Sequence, residues 1–155
     1  MSQDITNSLK GPIDKAFELL SQFIEVCPDG IWKEKAGGWP IWQQVYHSVG
    51  AVDFFLGTTG QSLVPGPVAG LKEIGTEALS KDQVRGALRE ARTKVDQFVA
   101  ALADQDLPKR NEPLFANFKY DLTLAATLTG ICSHALYHLG SCDAALRNNG
   151  LKGVF

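Results

Sequence analysis

Apolar residues recur at intervals of three and four along four stretches of this chain; between them it is polar or rich in glycine and proline. In the first stretch Ile13, Ala16, Phe17, Leu20, Phe23 and Ile24 trace one stripe, the pattern of a helix with one face in a core. Gly11-Pro12 suits its start, since proline is tolerated in a first helical turn. Cys27-Pro28-Asp29-Gly30 ends it, so the pattern predicts a helix over Pro12 to Val26. A connector, Ile31 to Gly38, leads to a second helix that opens at Pro40 and continues to Leu56, where Gly57-Thr58-Thr59-Gly60 stops it. Gln61 to Thr76, with Pro65, Gly66, Pro67, Gly70 and Gly75, reads as a long loop holding one short turn; loops of that length in a compact domain are usually functional or mobile.

Ser80 and Gln83 have the spacing of a capping box and open a third helix that runs to Ala103, with Val84, Leu88, Ala91, Val95, Phe98 and Leu102 as its stripe and a charged opposite face. Asp104 to Lys119 is a polar connection containing Pro108 and Pro113. Asp121 is placed to cap the fourth helix, which runs through Leu146 or Arg147 to the stop Asn148-Asn149-Gly150. Four helices with no period-2 strands make an all-α four-helix bundle with long connections. The 155 residues suit one domain over 1–155 and are too few to expect two.

Composition narrows the function classes. A formal net charge of −2, with no lysine or arginine cluster, lacks the positive footprint that phosphate neutralisation demands, which excludes nucleic acid as a partner. No secretory leader is visible at the N-terminus. The longest apolar run, Leu122 to Leu139, is broken by threonines, Ser133 and two histidines, so it reads as a buried helix and not a membrane span. Cys27, Cys132 and Cys142 are an odd number at no disulfide-framework spacing. They fit core positions in a reduced, cytoplasmic protein.

The candidate chemistry lies in the histidines, of which the chain has three. His134 and His138 are four apart on the fourth helix, so their Cβ atoms stand about 5–6 Å apart on one face. His47 lies on the second helix, within WPIWQQVYHSVGAVDFFL. The bland reading is a buried pair hydrogen-bonded to carbonyls. Against it, the run around the pair is strongly apolar, and burying unpaired imidazoles costs roughly 1–3 kcal/mol each. A metal would satisfy both, with His47 brought opposite by the bundle. Small residues nearby (Gly50, Ala51, Gly130, Ser141) leave room for a water or substrate, or else permit close helix packing. Asp53 and Asp143 do not share a face with their neighbouring histidines. Cys142 lies about 12 Å along the axis from His134 at ~1.5 Å per residue and reads as core. Three protein nitrogens with open positions suit a reactive site more than a structural one. Zinc, nickel and iron all accept imidazole. Gln43, Gln44, Trp42, Tyr46 and Tyr137 are the polar or aromatic neighbours able to support the ligands or touch a substrate, with the Gln61–Thr76 loop as wall or lid.

At these residues the chain resembles the DinB-like superfamily of bacterial four-helix-bundle metalloproteins. GGWPIWQQVYHSVGAVDF is similar to that family's Trp-Ser-Ile helix start with a histidine two turns on. DLTLAATLTGICSHALYHLGSCDAALRNNG is similar to its closing H-x3-H followed by Leu-Gly. Pro40 stands where serine is common in the family. The resemblance implies a divalent metal held by His47, His134 and His138 at one end of the bundle, and a homodimer. Some relatives are transferases that activate a low-molecular-weight thiol such as bacillithiol or mycothiol. The expected function is therefore divalent-metal binding with thiol S-transferase or hydrolase activity on a small-molecule substrate. The alternatives are a non-catalytic metal- or small-ligand-binding bundle and an apolar-core interaction domain with no metal.

Overall fold

The computed structural model describes residues 2–155. Four long helices form the bundle: α1 (Asp4–Val26), α3 (Ile41–Leu56), α5 (Lys81–Ala100) and α7 (Leu124–Asn148). Three short helices lie in the connections: α2 (Asp29–Trp32), α4 (Gly66–Ala69) and α6 (Glu112–Phe118). A hairpin of two-residue strands, β1 (Lys35–Ala36) and β2 (Trp39–Pro40), precedes α3. Its turn, Gly37-Gly38, takes φ values of +58° and +91°, the backbone that a two-residue hairpin demands and that glycine adopts without a Cβ penalty.

The helices pack α1 on α5 and α7, and α3 on α5 and α7, so α1 and α3 face each other across a diagonal. Cross-contacts set their directions. Lys81 at the start of α5 donates to the Cys27 carbonyl at the end of α1, while Gln3 before α1 donates to Leu102 O at 2.6 Å beyond the end of α5. Those two helices are antiparallel. Near the end of α3, Gly130 of α7 abuts the Phe55 ring, and about two turns earlier His47 meets His134 and His138, so α3 and α7 are antiparallel too. Asp53, late in α3, pairs with Lys94, late in α5, at 2.9 Å, so these neighbours run in the same direction. Such neighbours cannot be joined by a short turn. Residues 57–80 therefore travel back along the bundle, and this return is the long loop visible in the sequence.

The core draws on all four helices, with Ile13, Phe17, Leu20, Phe23, Ile41, Val45, Val84, Val95, Leu128 and Leu139 essentially sealed from solvent. Three boundaries differ from the pattern-based expectation. Helix α1 begins eight residues before Pro12, which lies inside it on an exposed face; the carbonyl it leaves unbonded is open to water, so the usual penalty is reduced. The cap of α7 is Thr123, whose Oγ1 accepts from Ala126 N at 3.1 Å, and not Asp121. The polar connection after α5 contains α6, capped by Asn111, whose Oδ1 accepts from Leu114 N at 3.1 Å. The capping box of α5 is present as expected: Ser80 Oγ accepts from Gln83 N at 3.2 Å and Gln83 Oε1 accepts from Ser80 N at 2.9 Å.

The early start of α1 is anchored from elsewhere in the chain. Asp104 accepts hydrogen bonds from Ser2 Oγ at 2.7 Å and from both Thr6 N and Thr6 Oγ1 at 2.9 Å. The Ser2 bond first, then those from Thr6, hold its carboxyl down at about 2. A carboxylate depressed on folding adds stability that is present above its unfolded pKa, about 3.9, and is lost as pH falls through the folded value. Acid titration of the wild type should therefore release the first turns of α1 between pH 4 and 2. Asp104→Asn should lose that step, read as amide exchange of residues 4–8.

Candidate metal centre and its cavity

The middle of α3 and the middle of α7 face each other, and their imidazoles converge. The ring centroids of His47, His134 and His138 lie 4.7–4.9 Å apart, and their ligating nitrogens all lie within 4.8 Å of one another. His47 Nε2 and His134 Nε2 are 3.1 Å apart. Two nitrogens each bound about 2.0–2.1 Å from one cation stand about 3.0–3.5 Å from each other, so that separation suits a shared ion.

The electronic state of the cluster suits it as well. His47 Nδ1 lies 2.7 Å from the Ala69 carbonyl. A carbonyl only accepts, so Nδ1 carries the proton and Nε2 keeps its lone pair free to ligate. Burial, and then the neighbouring imidazoles, push His134 and His138 down to about 4; burial also lowers His47. All three are neutral at physiological pH. His138 is 7% exposed, and its Nδ1 is the one buried side-chain nitrogen or oxygen among the described residues with no hydrogen-bond partner. An unpaired polar atom at the centre of an apolar bundle is expensive, and a cation on this cluster is what would relieve it. The donor set therefore fits a borderline divalent metal. Asp53, Asp143 and Cys142 lie outside the cluster. Asp53 binds Lys94 and Thr58, Asp143 binds Arg147 and Val154 N, and Cys142 is sealed in the core.

A cavity of about 660 Å³ opens on the outer side of His47 and His134. Gly50 and Ala51 line it, as their small size suggests. Gly130 and Ser141 do not make room there. A Cβ at Gly130 would stand 2.5 Å from the Phe55 ring, and Ser141 packs under the Gly37 turn, so both serve close packing. Phe54, Phe55, Phe118 and Tyr120 form an aromatic wall that sequence reasoning passed over. Phe118 belongs to the connection that reads as polar and Tyr120 directly follows it; the aromatic residues of EPLFANFKY were the available signal.

The suggested supporting residues divide. Tyr46 lines the cavity, and its hydroxyl accepts from Leu63 N at 2.7 Å and meets Ser62 Oγ at 3.2 Å. Tyr137 is 75% exposed with its ring edge against His138, outside the cavity lining, because its position on α7 points away from α3. Gln43 is fully buried and touches neither imidazole nor cavity. Its Nε2 donates to Val68 O at 2.8 Å and Glu73 O at 2.6 Å, and its Oε1 accepts from Gly75 N at 3.0 Å. Gln44 ties the hairpin in the same manner, donating to Ala36 O at 2.6 Å, and Trp42 packs against Gly75.

Gln43 thus pins both ends of the segment that carries the Ala69 carbonyl. Gln43→Ala should cost roughly 2–4 kcal/mol in a urea melt, from three lost hydrogen bonds and their stranded backbone partners. By loosening Ala69 it should weaken metal binding about 10–100-fold, the range for outer partners of a ligand histidine; a chelator-competition titration reads the second effect.

Residues 13–142 match the model of the DinB superfamily, and the chain belongs to that superfamily. It is similar to a crystal structure of a DinB-like protein from Bacillus cereus ATCC 10987, with a TM-score of 0.70 and 20% identity over 99% of this chain and 97% of that one. At that identity the likeness concerns the fold, which is all-α and DinB-like. No curated protein matches the chain. Among the described residues no helix is long and apolar enough to cross a membrane.

Proposed function

We propose that this protein binds one divalent metal ion through His47, His134 and His138 and uses it on a small molecule held in the adjoining cavity, as a thiol S-transferase or hydrolase. The observation that carries this reading is a three-histidine cluster in which His138 has a buried, partnerless Nδ1 and the other two imidazoles bring their Nε2 atoms 3.1 Å apart. A zinc, nickel or iron ion held by three histidines retains open positions and lowers the pKa of a coordinated thiol or water towards neutrality. The chain's own contributions are orientation and exclusion of water. The Ala69 carbonyl sets the His47 tautomer, Tyr46 holds the loop at Ser62 and Leu63, and the aromatic wall keeps the approach to the histidines apolar. The thiols at Cys27 and Cys142 are buried and free, with Cys132 half-buried, which supports a reducing compartment such as the cytoplasm.

Elemental analysis of protein purified without a histidine tag tests the reading: about one zinc, nickel or iron per chain is expected, and a metal-free preparation that cannot be loaded overturns it. Metal removal that leaves the fold intact supports a reactive site, whereas coupled unfolding supports a structural one. Thiol-transfer and hydrolysis screens with the His138→Ala variant as control then separate an enzyme from a non-catalytic binder.

A further inference from the structure

The cavity beside the histidines has a chemical character that its ligands do not dictate. Its outer wall is Phe54, Phe118 and Tyr120, with Phe54 at the centre, 5.1 Å from the Phe118 ring and 5.5 Å from the Tyr120 ring. Phe118 and Tyr120 are 39% and 52% exposed, so the wall presents apolar surface with nothing yet covering it. Apolar surface left open at the mouth of a pre-formed pocket of this volume favours an apolar occupant.

The lining offers no unpaired charged side chain. Among the described residues no lysine or arginine lines the cavity. Its one carboxylate, Asp53, is committed to Lys94 Nζ at 2.9 and 3.0 Å and to Thr58 Oγ1 at 2.7 Å. An anionic group held against the aromatic wall, away from the histidines, would shed its water and gain no counter-charge from a protein side chain, and a cation would find the one acid already neutralised. Either would be penalised by desolvation. Besides His47 and His134, the uncharged polar side chains of the lining are Tyr46, Gln61, Ser62 and Tyr120.

We propose that the cavity selects an uncharged small molecule with an aromatic or branched aliphatic body and a single polar end. The body lies on Phe54, Phe118 and Tyr120, and the polar end reaches the histidines. This deepens the metal-site reading and rests on it only for the polar end; recognition of the body stands on the wall itself. It narrows the class of molecule consumed to neutral, apolar ones and disfavours a cosubstrate whose carboxylate must be held inside the cavity.

The test is a fluorescence titration of the full-length protein as isolated, whose metal content is measured on the same preparation. The probes are 2-naphthalenemethanol and its anionic counterpart naphthalene-2-sulfonate. The neutral probe should bind at least about tenfold more tightly. Phe118→Ala and Tyr120→Ala, at half-exposed positions where truncation spares the core, should each weaken it about tenfold. Phe155→Ala removes a comparably exposed ring outside the cavity and away from the histidines and should leave binding unchanged. Equal or tighter binding of the sulfonate, no binding of the neutral probe, or equal effects of all three truncations overturns the proposal. A metal-free protein that still prefers the neutral probe would sink the metal reading and leave this one standing. A metal-loaded protein without that preference would do the reverse.

Discussion

His138→Leu should abolish stoichiometric metal binding and at the same time stabilise the metal-free protein by about 1–2 kcal/mol. The two effects have one cause. His138 carries a buried nitrogen with no partner, and leaving such a group unpaired costs roughly 1–3 kcal/mol. Leucine is of similar volume and has no polar atom to strand, so the bundle relaxes while the cluster loses a ligand. Metal affinity should fall by more than the 10–100-fold expected for an outer partner. A residue kept for stability alone would behave in the opposite way.

Acidity provides a second reading of that variant. The imidazoles of His134 and His138 are down at about 4 in the fold, against about 6.5 in an unfolded chain. Between those values the unfolded state binds more protons, so the stability of the metal-free protein is fully present above pH 6.5 and declines as pH falls towards 4. His47 is lowered by burial too; His138→Leu removes one of these contributors, and its urea midpoints at pH 7.5 and 5 should lie closer together than those of the wild type. Parallel slopes, or a variant less stable than the wild type without metal, would contradict the account.

Gly57→Ala should be the most damaging small substitution, costing about 3 kcal/mol or more. Gly57 ends α3 at φ +72°, where a Cβ is strained on any L-residue. A Cβ there would also run into the backbone of Pro113 and Leu114 in α6, and main chain cannot swing aside as a side-chain tip can. Helix α6 would have to lift, and its far end carries Phe118 of the cavity wall. Chemical denaturation reads the stability. A loss under 1 kcal/mol would mean that α6 is not seated on α3 as described.

The parts of this architecture legible in the sequence are those written in local chemistry. Helices α3, α5 and α7 follow from apolar spacing and breakers, and Ser80 with Gln83 marks the start of α5 to the residue. The histidine cluster was legible because polar residues recurring on apolar helix faces are costly unless used. What escaped depends on contacts distant in sequence. The first turns of α1 exist because Asp104, nearly a hundred residues away, satisfies Thr6. Helix α6, seven residues long, is held by Asn111 and by its seat on Gly57. Tyr137 and Gly130 sit close to the histidines along the chain, yet one points to solvent and the other makes way for Phe55. Spacing tells which residues share a helix but not which neighbour each will meet.

Two co-directional helices, α3 and α5, oblige the chain to retrace the length of the bundle between them, and the returning strap crosses over His47. Its residues can lengthen, shorten or change character at small entropic expense, while the imidazoles stay on regular helices whose spacing is set independently. A descendant of this scaffold can therefore acquire new tastes by editing the strap, with its inherited chemistry left untouched.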